Sequence, residues 1–217
     1  MKQIVLVSQA SFVMQSVAQS LKISAGDRLV CITTAIETKD SQSLGWFEKD
    51  RQSLVQVGFE VTNYTITGKT TEEIKHDLAI YDYIYVSGGD TIHLVEQSHK
   101  SGFVDLVKQL VEIEGKTYIG SSAGSIACAP HIPNFYDLSI VAENEAGVKG
   151  YNLVNLVVMP HWGRKDYYDK YIQERLPKVF DLKQHPFFII NDNQYIYMED
   201  DCYKVVDVRG EIRNETR

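Results

Sequence analysis

Cysteine is scarce in this chain: three residues in 217, Cys31, Cys128 and Cys202, far apart in sequence. An odd, scattered set does not make a disulfide framework, and no pair has the spacing of a zinc site. Each reads instead as a small buried hydrophobe in a reducing compartment. Basic residues are outnumbered too, 22 Lys and Arg against 29 Asp and Glu, for a formal net charge of −7. That balance argues against nucleic acid or an anionic membrane as the main partner. A local cluster of cations would still suit an acidic substrate. No apolar run approaches the length of a membrane span. The opening residues 1–8 are too short for the core of a secretory signal and read as a strand. Repeats, low-complexity runs and interdomain linkers are missing as well. The expectation is a soluble cytoplasmic protein, one α/β domain over residues 1–217, monomeric or homodimeric, engaging neither nucleic acid nor membrane.

What is present alternates. With 44% hydrophobic residues the chain has enough apolar material for a sizeable core. Residues 4–7, 29–33, 59–66, 83–87 and 116–119 read as strands, several of them short apolar runs of the kind buried on both faces. Between them, 11–21, 43–57, 91–98 and 103–113 have helical spacing. Gly58 stands where a helix would be capped, and Thr70 with Glu73 forms a capping-box pattern. A β-α-β-α order implies a doubly wound, mostly parallel sheet whose ligands bind at the carboxyl ends of the strands. Farther along, 153–159 is a strongly apolar strand running into Pro160-His161, and 167–179 reads as a polar, charge-laced helix. Strands at 187–190, 194–198 and 202–206 suggest a terminal meander.

One segment speaks about chemistry. Gly120-Ser121-Ser122-Ala123-Gly124 fits G-x-S-x-G between a predicted strand and a predicted helix start. A chain turning that sharply leaves its corner residue strained and exposed, and the flanking positions must be tiny. Read without that context, the segment is a glycine-rich turn of a parallel sheet. As a nucleophile, Ser122 needs a base, and the base needs an orienting partner. Of six histidines, only His161 directly follows a predicted core strand, which puts it on the same sheet edge as Ser122. His76 and His99 lie in polar stretches, His131 and His185 beside prolines, and His93 on the helix after Gly88-Gly89. Two acids are open as partners of His161. Asp192 lies between two asparagines, a common turn arrangement, and Asp137 lies in an irregular segment after the elbow. Gly89 and Ala123 can offer backbone N–H groups to an oxyanion, unless Gly88-Gly89 is only a turn with Asp90 capping the next helix. No His/Cys/Asp/Glu cluster has convincing metal spacing.

Taken together, Gly88-Gly89-Asp90-Thr91, Gly120-x-Ser122-Ala123-Gly124, Pro160-His161 and the late acidic turn resemble the peptidase E family of serine peptidases. That family includes aspartyl dipeptidase and is related to cyanophycinase. The resemblance spans most of the chain. It implies a fold like the class I glutamine amidotransferases, with serine in place of their cysteine, and no cofactor. It implies Ser122 as nucleophile, His161 as general base, Asp192 as its direct partner and Asp137 as a supporting acid. It further implies Gly89 and Ala123 as oxyanion donors, Gly88, Asp90 and Arg164 near the substrate, and a short peptide as that substrate. Two positions depart from the pattern. The family usually has asparagine where Asp90 stands. The arginine that reads a substrate aspartate in the aspartyl dipeptidases has no clear match in the segment Trp162-Gly163-Arg164-Lys165-Asp166. Two other readings compete: an α/β-hydrolase-type esterase, in which Asp137 would be the acid, and a non-catalytic binding protein that keeps an old pocket.

Overall fold

The computed structural model describes residues 2–132, 148–179, 185–200 and 202–209. Asp137 falls outside them. The chain runs β1 (Gln3–Val7), α1 (Ala10–Leu21), β2 (Arg28–Ile32), α2 (Gly45–Gln56), β3 (Glu60–Tyr64), α3 (Thr71–Leu78), β4 (Tyr83–Val86), α4 (Thr91–Lys100), α5 (Phe103–Glu112), β5 (Thr117–Ser121) and α6 (Ala123–Ala127). After the undescribed stretch come β6 (Val157–Met159), α7 (Leu176–Val179), β7 (Phe187–Ile189), β8 (Gln194–Glu199) and β9 (Cys202–Asp207). The main sheet has the order β3-β2-β4-β5-β1-β8-β9. Its first five strands are parallel, β8 pairs antiparallel with β1, and β9 pairs antiparallel with β8. This is the expected α/β architecture with a mostly parallel central sheet.

The alternation of side chains along each strand explains why the sheet is covered on both faces. Ile4, Leu6, Val30, Ile32, Ile84, Val86 and Tyr118 enter one core with the buried faces of α3, α4 and α5. Val5, Val7, Leu29, Cys31, Tyr85 and Ile119 enter the other with α1 and α2. Local signals set the ends. At α3 the capping box is complete, with Thr70 and Glu73 each bonded to the other's backbone.

The second half departs from the sequence reading. The apolar run 153–159 yields only the three-residue β6, because residues 153–156 form bends rather than a ladder. β7 is not part of a meander: it pairs in parallel with β6 in a separate two-stranded sheet, and only β8 and β9 form the hairpin. The helix expected over 167–179 is broken into a 3₁₀ turn (Lys165–Tyr167), a π-helical stretch (Lys170–Arg175) and α7. Cys31 and Cys128 are buried, and burial pushes the Cys31 thiol up to about 12, but Cys202 is exposed on the edge strand β9. Phe12 on α1 is 53% exposed.

Topology carries the chemistry-bearing residues to one edge. Gly88 follows β4, Ser122 follows β5 and Ser8 follows β1, three neighbouring parallel strands. β8 runs the other way, with Tyr195 opposite Val7, so the turn that precedes β8 lies at that same edge. Close approach there demands glycine. A Cβ on Gly124 would collide with the Val86 carbonyl oxygen. Gly89 has φ +137°, and a Cβ there would collide with the Ala35 carbonyl. We expect Gly124→Ala to destabilise the fold by about 1–3 kcal/mol, read as a lowered denaturation midpoint. An unchanged midpoint would show that α6 is free to shift away from β4.

Candidate active site

Ser122 sits between β5 and α6 with φ +47° and ψ −101°, a backbone conformation that non-glycine residues avoid. What holds it there is visible. Its N–H donates to the Val7 carbonyl at 3.0 Å, and Ile126 N–H donates to its own carbonyl at 3.0 Å. The Ser125 hydroxyl lies 2.8 Å from the Val7 carbonyl and 2.7 Å from that of Gly120. The Tyr118 hydroxyl donates to the Gly124 carbonyl at 2.8 Å. The strain is thus offset by hydrogen bonds to β1 and within the turn, and it pushes the Ser122 side chain out over the sheet edge.

His161 is the second strained residue, with φ +65°. It follows β6 and is 8% exposed. Its Nε2 lies 2.9 Å from Ser122 Oγ, and its Nδ1 lies 2.7 Å from Asp192 Oδ1. The two loops that carry His161 and Asp192 are laced together, because Ile190 N–H donates to Met159 and Trp162 N–H donates to Ile190, both at 3.0 Å. The asparagines beside Asp192 have their own work. Asn191 Oδ1 accepts the Asn193 N–H at 2.9 Å, and the Gln194 side chain accepts the Asn191 N–H at 3.1 Å. The flanking residues build the turn, and the Asp192 carboxylate is left to meet the imidazole. Burial works against its charge, yet hydrogen bonds from His161 and Ser8 outweigh that and hold its carboxyl below the usual value.

Ser8 was not foreseen from the sequence. Its hydroxyl donates to Asp192 Oδ1 at 2.5 Å, accepts the His161 backbone N–H at 2.7 Å and lies 3.1 Å from His161 Nδ1. One side chain at the end of β1 therefore touches both the strained backbone and the ring of His161, and its acid as well. The rule that singled out His161, a polar residue directly after a core strand, applies equally to Ser8. Tyr167 completes the cage, with its ring 5.2 Å from the His161 ring, and the Tyr171 hydroxyl donates to the Pro160 carbonyl.

Two hollows meet at Ser122 and His161, which line both. One, about 250 Å³, is lined by Gly89, Asp90, Ile126, Lys39, Lys170 and Arg175 among others. The other, about 290 Å³, is lined by Ser8, Trp46, Asp50, Gly88, Ser121 and Arg164 among others. Each is at or below the roughly 300–1,000 Å³ of pockets for drug-sized ligands, which fits a short substrate. Gly88 and Gly89 are at the cleft, and Ala123, as the first residue of α6, has no intrahelical acceptor for its N–H. Asp90 caps α4, accepting the His93 N–H at 3.0 Å, and also accepts the Thr38 hydroxyl at 3.1 Å. Arg164 lies at the rim with its guanidinium engaged by Asp166 at 2.6 Å. The buried arginine of the cleft is another one. Arg175 is 6% exposed, its guanidinium 5.1 Å from the Tyr171 ring centre and 3.2 Å from the Tyr171 hydroxyl. Burial, together with the Arg175 charge, lowers Lys170 from the usual lysine value. The sequence hid Arg175 inside a stretch that reads as a solvated helix.

Chemically, a hydroxyl within 2.9 Å of an imidazole nitrogen can pass it a proton while attacking a carbonyl. A carboxylate on the other ring nitrogen favours the tautomer that accepts that proton.

Comparison with known proteins gives the family and the fold. The model of peptidase family S51 matches residues 5–206. An uncharacterized peptidase of Listeria innocua is 26% identical over 160 residues, covering 72% of this chain and 74% of that protein. A peptidase E of Nostoc sp. is 28% identical over 149 residues, covering 69% and 57%. Among solved structures, a Listeria monocytogenes protein provisionally assigned as peptidase E superposes with a TM-score of 0.81 at 23% identity, over 96% of this chain and 99% of that one. A peptidase from an acI-B1 actinobacterium superposes with a TM-score of 0.70 at 18% identity, over 95% and 88%. These two likenesses speak for the fold. Among the described residues, no helix is long and apolar enough to cross a membrane.

Ser8→Ala tests the brace. It removes the hydroxyl that bonds Asp192 and the His161 backbone while leaving Ser122 and both ring contacts in place. We expect phosphonylation of Ser122 by a fluorophosphonate to slow by roughly 10–100-fold, the scale of a lost hydrogen bond to a charged group, with the protein still folded by circular dichroism. Unchanged labelling would mean that Asp192 positions the ring unaided.

Proposed function

The chain belongs to peptidase family S51, and on that premise we propose that it is a serine dipeptidase that cleaves short peptides beginning with an acidic residue. The observation that carries the reading is the hydrogen-bonded row of Ser122 Oγ, His161 Nε2, His161 Nδ1 and Asp192 Oδ1, with separations of 2.9 and 2.7 Å. In it Ser122 attacks the scissile carbonyl and His161 takes the hydroxyl proton. Asp192 holds the ring and stabilises the imidazolium. His161 then protonates the leaving amine, and a water molecule, activated by the same ring, releases the acyl group. The N–H groups of Gly89 and Ala123 receive the oxyanion. The acid lies after the histidine in the chain, which counts against the esterase reading. Nothing in these steps requires a cofactor.

The preference for an acidic residue rests on the first hollow. Lys39, Lys170 and Arg175 line it together. Asp90, the acid in the same hollow, is already committed to Thr38, the α4 N-terminus and Lys39 at 4.0 Å. Three basic side chains lining one hollow make its field positive, and a substrate carboxylate is the group such a field favours. Arg175 thus takes the part for which the segment around Arg164 offered no clear match.

Ser122→Ala should lower turnover by roughly 10⁴-fold or more while the protein remains folded. Asp192→Asn should also cost strongly, since an amide holds the ring but favours the wrong tautomer. Asp137→Asn should cost less, and the reverse order would mean that the wrong carboxylate has been paired with His161. A screen of X-Leu dipeptides tests the specificity. Arg175→Met should cost Asp-Leu cleavage roughly 100-fold more than cleavage of an uncharged X-Leu, in keeping with loss of a buried charge partner. Equal losses on both would remove Arg175 from the substrate.

A further inference from the structure

The second hollow contains a carboxylate that the mechanism above does not use. Asp50 lies on the inward face of α2, in register with Phe47 and Leu54, where a hydrophobic residue would be expected. It is 1% exposed, yet it lines the cleft together with Ser8, Trp46, Ser121 and Ser122. Its oxygens accept the Ser11 N–H at 2.9 Å and, more weakly, the Ala10 N–H at 3.4 Å. These bonds cap α1, whose own N-cap residue Gln9 provides no side-chain cap. They leave carboxylate acceptor positions over, since an ionised carboxylate offers about four. Among the described residues no ion pair includes Asp50. The basic side chains that share its hollow are engaged elsewhere: Arg164 with Asp166 at 2.6 Å, Lys39 near Asp90 at 4.0 Å and His161 with Asp192 at 2.7 Å. Burial raises the Asp50 carboxyl above its usual value, and the Ser11 side chain, the Ser11 and Ala10 N–H groups and the nearby His161 only partly oppose this. A buried acid without a counter-ion is costly unless something cationic visits it.

We propose that Asp50 and the hollow around it form the binding site for the free α-ammonium group of the substrate. This rests on the dipeptidase reading and adds what that reading lacks, a reason why cleavage occurs one residue from an N-terminus. The α-carbon next to the scissile carbonyl carries two substituents. With the carbonyl at Ser122, the acidic side chain enters the hollow of Arg175 and Lys170, and the ammonium enters the hollow of Asp50 and Trp46. An ammonium there donates a charge-assisted hydrogen bond to the Asp50 carboxylate, and the half-buried Trp46 ring offers it an aromatic face. A peptide extended at its N-terminus would have to place a neutral amide against an unpaired buried carboxylate, so the site selects by repulsion as well as attraction.

The test compares kcat/KM for Asp-Leu and for succinyl-Leu, which is the same molecule without its amino group. For the wild-type protein we expect a preference for Asp-Leu of roughly 100-fold, the scale of a desolvated charge-assisted bond. In Asp50→Asn the preference should collapse to a few-fold, with the loss falling on Asp-Leu and with fluorophosphonate labelling of Ser122 preserved. Asp50→Glu keeps the charge and should retain most of the preference, and it stands as the second variant should Asp50→Asn not fold. Equal cleavage of the two substrates by the wild-type protein would overturn the proposal while leaving the dipeptidase reading intact. So would an Asp50→Asn protein that labels normally and keeps the full preference. Failure of the wild-type protein to cleave either substrate, or any dipeptide, would instead overturn the underlying reading and the proposal with it.

Discussion

Ser122, His161 and Asp192 all hang on the carboxyl end of β1. The Val7 carbonyl accepts the Ser122 N–H and the Ser125 hydroxyl, and the next side chain, Ser8, accepts the His161 N–H while donating to Asp192. Two residues with positive φ, Ser122 and His161, are therefore pinned to one strand from opposite sides. Strain of this kind persists only where the surroundings over-determine it, and β1 is the right place for such an anchor. It lies between β5 and β8, paired on both edges and buried on both faces. A surface loop could not hold a hydroxyl, an imidazole and a carboxylate in a line without yielding.

The cleft has two halves of opposite electrical character, and they meet at Ser122. One gathers Lys39, Lys170 and Arg175 against a single acid that is already occupied. The other contains Asp50, whose nearby cations are held by other acids. The overall charge of −7 gives no hint of either half, because binding depends on the field inside a low-dielectric hollow rather than on the sum over the surface. A zwitterionic amino-acid residue with an acidic side chain carries charges of both signs a few bonds apart, and the cleft presents the same pattern in reverse.

How much of this was legible in the chain follows from the range of the forces involved. The parallel strands, the helices that cover them, the capping box at Thr70 and the elbow at Ser122 all rest on local pattern, and the structure has them within a few residues. His161 stood out because it ends an apolar strand. What escaped was set by partners far away in sequence. β7 leaves the expected meander because it pairs with β6, and the helix expected over 167–179 is broken into 3₁₀, π and α segments, with Tyr167 and Arg175 at the cleft. Ser8, Asp50 and Arg175 each had a bland local explanation as a strand end, a helix face or a solvated charge. Only the packed sheet edge reveals otherwise.

The hydrogen bond from Ser8 to Asp192 joins residues 184 positions apart, and it has a meaning for the chain during its synthesis. β1 is made before β8, so its outer edge waits for that strand, and His161 waits for Asp192 just ahead of it. Contacts of such long range form late, after the intervening segments have collapsed. While the chain grows from Ser122 to Asp192 it has the serine without the geometry that would activate it. A cleft assembled in this order reaches its geometry only when the folding of the whole sheet is complete.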